Sequence, residues 1–161
     1  MGRSRPRREY GEIVVLEPEF CDQSRKTLPG RRALVMVAVT SGSKGLHLYA
    51  ELPRRLPPEE STALAKEVAE TLQAQHPRLV TATMTKSRRS GKVFLDWSQN
   101  SGSKTTISPY SLRGRERPYV AAPVSWAEVE AGAEDPLGLE QLRFEEVLDR
   151  VADRGDVFEE A

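Results

Sequence analysis

Apolar and polar positions along the chain predict short strands arranged around one long helix. Residues 33–39 form a continuous apolar run of strand length with β-branched side chains, which is typical of a buried strand. A polar break follows at residues 41–45, and residues 46–50 then resume an apolar pattern that alternates with polar positions. This pattern predicts two neighbouring strands joined by a turn that contains glycine.

The long helix is predicted after this pair of strands. Two prolines and two acidic residues within residues 57–61 suit the first turn of a helix and complement its dipole. Leucine and valine recur every four residues from position 64 to position 72, with alanines beside them, and Pro77 ends the helix. The apolar stripe is predicted to face the core.

Further strands are predicted at residues 79–84, 92–97 and 105–108, where apolar and β-branched residues lie between polar turns. Together these elements indicate an α/β fold of the α+β type. We expect a mixed or antiparallel sheet flanked by helices.

Two helical signals follow in the C-terminal part. Ser125 with Glu128 has the spacing of a capping box. A last helix is predicted from Phe144 to Asp153, with Gly155 as its stop. Its predicted inward residues are Val147, Leu148 and Val151.

Charge is balanced over the whole chain but not along it. The 161 residues, enough for one domain with its own core, hold 24 basic and 24 acidic side chains. Between Arg78 and Arg117 the acidic residues are only Asp96 and Glu116, whereas acidic residues dominate after Trp126. This asymmetry indicates a polyanionic partner for the basic middle segment, and a solvated face of mixed charge is an equally good interpretation.

Composition also limits the class of protein. Cys21 is the only cysteine, which excludes an intrachain disulfide and a zinc site built from several cysteines. The basic N-terminus is not followed by the apolar stretch of a signal peptide, and no apolar run approaches the length of a membrane span. We therefore expect a cytoplasmic protein without a membrane partner.

The turn from Ser41 to His47 is the first candidate for chemistry. Its glycines allow backbone N–H groups to approach a ligand, and successive amides in such a turn can form an anion-binding nest. Ser41 and His47 lie at the two sides of the turn, so both are candidates for one pocket. A plain turn between two strands is the alternative interpretation, and the spacing does not match a Walker A loop.

Asp96 and a pair of arginines supply two further candidates. Asp96 ends a strand-like run and is a candidate ligand for a hard divalent cation, although a capping role in a turn explains it as well. Arg113 and Arg115 alternate around a glycine, which places both guanidinium groups on one side of an extended segment as forks for phosphate. Arg89 adds to this basic field, and a solvated basic loop is the alternative.

Taken together, these clusters resemble the polymerase domain of the bacterial ligase D family, within the archaeo-eukaryotic primase superfamily. The likeness runs from Val39 to Phe158. It is carried by Thr40-Ser-Gly-Ser-Lys-Gly-Leu-His47, Thr83-Met-Thr-Lys-Ser87, Gly91-Lys-Val-Phe-Leu-Asp-Trp-Ser-Gln-Asn100, Pro109-Tyr-Ser-Leu-Arg-Gly-Arg115 and Val124-Ser-Trp126.

The resemblance implies a primase-like core and a template-dependent nucleotidyltransferase of non-homologous end joining. It implies that Asp96 is a catalytic carboxylate that binds the metal, Mn²⁺ or Mg²⁺. The nucleotide-binding residues that it implies are Ser41, Lys44, His47, Arg89, Gln99, Arg113 and Arg115. The implied partners are nucleoside triphosphates, DNA ends, a Ku-type end-binding protein and a ligase module, in the nucleoid of a bacterial cytoplasm.

The chain departs from the family pattern in its N-terminal part. Residues 1–38 are expected to be a divergent segment, and residues 39–161 the C-terminal half of the domain, so that the catalytic core is incomplete. The family's Asp-x-Asp metal motif is absent from the sequence, and Glu17 and Glu19 are a poor substitute. The sequence therefore leaves open whether the chain is an enzyme, and the alternative is an inactive remnant that binds nucleotide or DNA ends.

Overall fold

A four-stranded antiparallel sheet, a two-stranded parallel pair and three α-helices make up the described part of the chain. The computed structural model describes residues 10–16, 36–43, 45–51, 54, 56–114, 116, 118–134 and 139–158. The strands are β1 (Tyr10–Leu16), β2 (Met36–Thr40), β3 (Leu46–Glu51), β4 (Val80–Thr81), β5 (Val93–Phe94) and β6 (Pro123–Val124). The helices are α1 (Pro58–Gln75), α2 (Trp126–Glu134) and α3 (Phe144–Arg154).

The predicted pair of neighbouring strands is confirmed as the centre of the large sheet. β2 and β3 pair antiparallel, with Val39 opposite His47 and Thr40 opposite Leu46. β1 pairs with the outer edge of β3 and β6 with the outer edge of β2, so the strand order is β1-β3-β2-β6. The predicted fold class is therefore confirmed.

A buried threonine, Thr40, links β2 by hydrogen bonds to the segment that precedes β6. The Thr40 hydroxyl lies within 3.3 Å of the carbonyl oxygens of Val120 and Ala122 and accepts a hydrogen bond of 3.0 Å from the Ala122 amide. The Thr40 amide donates to the Ala122 carbonyl at 2.8 Å. Because a buried polar group costs free energy unless it is paired, these contacts stabilise the edge of the sheet next to the candidate turn.

Opposite faces of the sheet pack against different partners. Ala38, Leu48 and Ala50 face the larger core, where α1 contributes the fully buried Ala65 and Ala69. These alanines lie one helical turn apart, and their small side chains let α1 approach the sheet closely. The predicted core-facing stripe of α1 is confirmed, with its larger apolar residues flanking the alanines.

The other face of the sheet carries a smaller cluster next to the candidate site. Val37, Val39 and Tyr49 are buried there with Ala121, and Ile107 and Phe158 pack against them. Because side chains alternate between faces along a strand, His47 lies on the same side of β3 as Tyr49. This face therefore positions the site residues.

β4 and β5 are shorter than the sequence predicts, and they pair parallel. The Ala82 amide, which would continue β4, donates instead to Gln73 Oε1 of α1 at 2.8 Å. β5 ends at Phe94, and Asp96 then caps a short 3₁₀ turn over Trp97–Asn100. The strand predicted at residues 105–108 is not formed; the Ile107 carbonyl accepts a hydrogen bond from the Tyr49 hydroxyl.

The two C-terminal helices begin and end close to where they are predicted. The Ser125 hydroxyl and amide bond the Glu128 carboxylate at 3.0 and 2.9 Å, which confirms the capping box. α3 runs one residue further than predicted and stops at Gly155. Among the described residues, no helix has both the length and the apolar character needed to cross a bilayer.

The predicted inward face of α3 is only partly right. Val147 is buried against Val120 and Ala122, as predicted. The prediction is wrong for Leu148 and Val151, whose exposed fractions are 64% and 39%. Val147 is the buried residue of α3, so the apolar contact of this helix is narrow. One helical turn further on, Arg150 faces α2 and forms an ion pair with Glu128.

Candidate functional site

The turn after β2 is closed by the hydroxyl of Ser41. The amides of Ser43 and Gly45 donate to Ser41 Oγ at 3.2 and 3.1 Å, and the Ser41 amide donates to the Gly45 carbonyl at 2.8 Å. Because the serine oxygen already accepts these two amides, the structure favours the plain turn, which the sequence offered as the alternative to an anion-binding nest. Since Oγ accepts two hydrogen bonds, its O–H remains as a donor, and no described residue is seen to accept from it.

Arg113 comes to this turn from 72 residues further along the chain. Its Nε donates to the Ser41 carbonyl at 2.9 Å, and its amide donates to the Tyr119 carbonyl at 2.8 Å. Within the described part of the chain the guanidinium donates only through Nε, so its two Nη groups are available to bind phosphate oxygens. The structure thus brings together Ser41 and Arg113, two of the predicted nucleotide-binding residues.

Gly42 makes this approach possible. Its φ of +64° lies in the left-handed region, and a Cβ atom at this position would lie 2.6 Å from Arg113 Cγ. Glycine has no Cβ atom and adopts this backbone conformation without strain. The glycine of the turn therefore admits the arginine side chain, a contact that no local sequence pattern predicts.

His47 lies beside the same turn on β3. It is largely buried, and its ring centroid is 6.2 Å from that of Tyr49. Tyr49 in turn donates its hydroxyl to the Ile107 carbonyl at 2.7 Å. His47 is therefore held on the sheet face that carries the aromatic cluster.

Asp96 and Gln99 form a second group at the 3₁₀ turn. One Asp96 oxygen accepts from the Ser98 amide and hydroxyl at 3.2 and 2.6 Å, and the other accepts from Gln99 Nε2 at 3.1 Å. Asp96 thus performs the capping role that the sequence offered as the alternative to metal binding. Oδ1 already accepts two hydrogen bonds, so capacity for a further partner lies mainly with Oδ2, which accepts only from Gln99 among the described residues.

Lys104 belongs to this second group and was missed from sequence. Its Nζ donates to the Ser98 hydroxyl, which itself donates to Asp96. The sequence signal was a lysine in a polar stretch six residues after Ser98, which is too common to single out. Lys104 places a positive charge beside the Asp96 carboxylate.

A cleft of about 530 Å³ lies next to the second group. Gln99 and Lys104 line one side of it, and Tyr49 and Phe158 line another, with Pro58 from the first turn of α1. Its volume is in the range of small-molecule sites. The cleft connects the Asp96 group with the aromatic cluster beside His47.

The remaining predicted residues lie elsewhere or outside the described residues. Arg89 donates to the carbonyls of Thr83 and Met84, and its guanidinium lies 3.4 Å from the centroid of the Phe94 ring. These contacts hold Arg89 on its own segment rather than at the Ser41 turn, and its nucleotide-binding role stays a prediction. Lys44, Arg115 and the pair of Glu17 and Glu19 fall outside the described residues.

The described residues do not fit a two-metal centre. They contain no group of three or more His, Cys, Asp or Glu side chains arranged to hold a metal ion. Asp96 is a single carboxylate engaged in capping, whereas a pair of divalent cations needs several hard oxygen ligands. The metal-binding and catalytic roles of Asp96 stay predictions.

Comparisons with known proteins find one family. The family model described as LigD, primase-polymerase domain, matches residues 23–158. The multifunctional non-homologous end joining DNA repair protein LigD of Mycobacterium tuberculosis is 60% identical over 126 residues, which cover 78% of this chain and 16% of that protein. The bifunctional LigD of Bacillus subtilis is 35% identical over 162 residues, covering 94% of this chain and 26% of that protein.

A solved structure shows the same fold. The polymerase domain of Mycobacterium tuberculosis ligase D in complex with DNA superposes with a TM-score of 0.81 at 49% identity. The match covers 93% of this chain and 54% of that domain, so this chain spans about half of the solved domain and a smaller share of the complete relatives. The family match begins upstream of Val39, and the domain boundary expected there stays a prediction.

Proposed function

The chain belongs to the LigD primase-polymerase domain family of non-homologous end joining, and we propose that its Ser41 turn and Arg113 bind the triphosphate of a nucleotide. In this proposal the chain supplies the nucleotide-binding part of a template-dependent repair polymerase. The observation that carries the proposal is the hydrogen bond of 2.9 Å from Arg113 Nε to the Ser41 carbonyl. It joins two motifs that are distant in sequence into one site.

The chemistry of this site suits a triphosphate. The Arg113 guanidinium presents its Nη groups as a planar fork, which matches two phosphate oxygens at once. The Ser41 hydroxyl offers a neutral donor beside it, and Lys44 and Arg115 are proposed to add positive charge. His47 and Gln99 are proposed to contact the nucleotide from β3 and from the cleft.

DNA is the proposed second partner. The solved relative is a complex with DNA, and the segment from Arg78 to Arg117 of this chain is strongly basic. We propose that DNA ends bind along this segment through their phosphates. A Ku-type protein and a ligase module remain proposed partners that rest on the family alone.

We propose that this chain on its own binds nucleotide or DNA ends without turnover. The family is generally metal-dependent, and we propose that Asp96 contributes one carboxylate for Mn²⁺ or Mg²⁺ when further ligands are supplied. With Asp96 as the single carboxylate of the candidate site, and with no group of three or more metal-ligating side chains among the described residues, cations would bind weakly and would stabilise little charge in the transition state. The alternative function, a complete nucleotidyltransferase, requires metal ligands from elsewhere.

Nucleotide binding is tested by calorimetric titration of ATP into the purified chain. We expect binding that weakens by about tenfold or more in Arg113→Ala, in line with the loss of hydrogen bonds to a charged group. Arg54→Ala is the matched control, because this exposed arginine pairs with Glu60 at 3.0 Å and should leave ATP affinity unchanged. Equal ATP affinity in the wild-type chain and Arg113→Ala would refute the proposed site.

Turnover is tested separately by primer extension with Mn²⁺ and nucleoside triphosphates. We expect no extension by the purified chain. Robust extension that disappears in Asp96→Ala would show that the chain is a complete enzyme and that the alternative is correct.

A further inference from the structure

Tyr110 has a backbone conformation that its side chain does not favour. Its φ of +65° lies in the left-handed region, where bulky residues other than glycine are rarely found. Such conformations persist only where surrounding contacts enforce them. The Tyr110 amide donates to the Ala121 carbonyl at 2.7 Å, and the Tyr110 hydroxyl donates to Asp156 Oδ1 at 2.5 Å.

Asp156 belongs to a short turn that follows α3. The same Oδ1 atom accepts the Phe158 amide at 3.0 Å, so one carboxylate oxygen holds both the turn and the tyrosine. Burial raises the pKa of the Tyr110 phenol, and the carboxylate of Asp156 raises it further. The hydroxyl therefore stays protonated at neutral pH and acts as a donor.

A second contact ties the same turn to the other end of the tyrosine's segment. Phe158 packs edge-on against Tyr49, with ring centroids 5.7 Å apart. Tyr49 donates its hydroxyl to the Ile107 carbonyl at 2.7 Å. The turn thus anchors the segment from Ile107 to Tyr110 at both of its ends.

Backbone hydrogen bonds continue from Tyr110 along the segment to Arg113. Next along the chain from the Tyr110–Ala121 hydrogen bond, the Ser111 carbonyl accepts from the Ala121 amide at 2.9 Å. The Arg113 amide then donates to the Tyr119 carbonyl at 2.8 Å. These hydrogen bonds fix the segment against residues 119–121. A segment pinned at Tyr110 therefore presents Arg113 three residues later at a fixed point beside Ser41.

We propose that Asp156 and Tyr110 are positioning residues of the triphosphate site. Through their hydrogen bond the turn after α3 sets the segment that carries Arg113 to the Ser41 carbonyl. This inference rests on the proposed function of Arg113, but it also predicts a property of the free protein. Asp156 and Tyr110 act through Arg113 and make no contact with the nucleotide.

The test begins with the free protein. Tyr110→Phe removes one hydroxyl, and we expect the Arg113 Nε–H to exchange with solvent about tenfold faster, as measured by ¹⁵N NMR, because one hydrogen bond to a charged group is lost. Tyr119→Phe removes the same atom nine residues away and should leave this exchange unchanged. Asp156→Asn keeps an acceptor oxygen and should retain most of the protection. Unchanged exchange in Tyr110→Phe would overturn the proposal.

The second readout is ATP affinity. We expect Tyr110→Phe to weaken ATP binding by about tenfold in the wild-type background and to cause no further loss in the Arg113→Ala background. Equal losses in both backgrounds would mean general destabilisation and would overturn the positioning role. If the wild-type chain binds no ATP, the proposed function fails, while the exchange measurement still decides whether Asp156 and Tyr110 position Arg113.

Discussion

At the scale of single residues, Gly42 decides whether the Ser41 turn and Arg113 can meet. Gly42→Ala would strain the backbone at a φ of +64° and would place a methyl group 2.6 Å from Arg113 Cγ. We expect the free energy of unfolding to fall by more than the roughly 1–2 kcal/mol that a left-handed L-residue costs. We also expect ATP affinity to fall, because Arg113 must move. Urea unfolding and ATP titration measure the two effects.

Substitutions at two other glycines separate the cost of backbone strain from the cost of steric contact with Arg113. Gly91 has a φ of +67° with nothing within 4 Å of an added Cβ, so Gly91→Ala should show the backbone cost alone. Gly114 has neither feature, so Gly114→Ala should change stability by no more than about 0.5 kcal/mol. If Gly42→Ala costs no more than Gly91→Ala and binds ATP normally, the close approach of Arg113 has no consequence.

The identity of the site residues is predictable from sequence, whereas the contact between them is not. Ser41 and Arg113 are predictable because their residue types suit phosphate and their motifs are specific. Their contact is not predictable from spacing, since 72 residues separate them. The plain turn is favoured over a nest for a local reason: serine side chains compete for nearby backbone amides, and the hydroxyl oxygen of Ser41 accepts the amides of Ser43 and Gly45.

At the scale of elements, the carboxylate of Glu128 joins α2 to α3. It accepts from Ser125 at the start of α2 and from Arg150 Nη2 of α3 at 2.8 Å, and Arg150 Nη1 forms an ion pair with its other oxygen at 2.7 Å. Burial alone would raise the pKa of Glu128, but the hydrogen bonds from Arg150 and Ser125 outweigh burial and lower the pKa from 4.5 to about 2. Packing of the two helices therefore depends on pH.

Glu128 should contribute stability that acid removes. A carboxyl group whose pKa is lowered by folding stabilises the fold above its unfolded pKa of 4.5 and loses this effect as pH falls towards 2. We expect Glu128→Gln to reduce the free energy of unfolding by about 1–3 kcal/mol at pH 7, and the difference from wild type to shrink between pH 4.5 and 2. Urea unfolding at a series of pH values measures it.

The exposed Glu140 supplies the control for this experiment, since Glu140→Gln removes a carboxylate without breaking the link between helices. A difference between Glu128→Gln and wild type that stays constant down to pH 2 would contradict the assigned role.

Elements were predictable where local pattern decides and were misjudged where distant contacts decide. The alternation in β3 and the spacing in α1 are local, so both elements form where expected. β4 is cut short by the side chain of Gln73, which the strand pattern cannot reveal. α3 contacts Val120 and Ala122 through Val147 alone among its buried residues. The helical period of apolar residues predicts which face is inward but not how many of its residues become buried.

At the scale of the whole molecule, the uneven charge along the chain should govern DNA binding. We expect the affinity for a duplex end to fall steeply with salt, because lysines and arginines that contact phosphates release counterions. Arg88→Gln, in an exposed turn of the basic segment, should reduce the logarithmic salt slope by about one. Arg54→Gln, outside that segment, should leave the slope unchanged. Binding that is insensitive to salt would exclude the basic segment as the DNA contact.

The bond between Thr40 and Ala122 spans 82 residues, and this span has a consequence during protein synthesis. A ribosome adding about 5–20 residues per second needs roughly 4–16 s to pass from one residue to the other. β2 and β3 can pair early, but the edge of β2 that later receives β6 stays open during this interval. An open strand edge invites pairing with other chains. The nascent chain therefore passes through a period of several seconds in which shielding of that edge by a chaperone would favour correct folding.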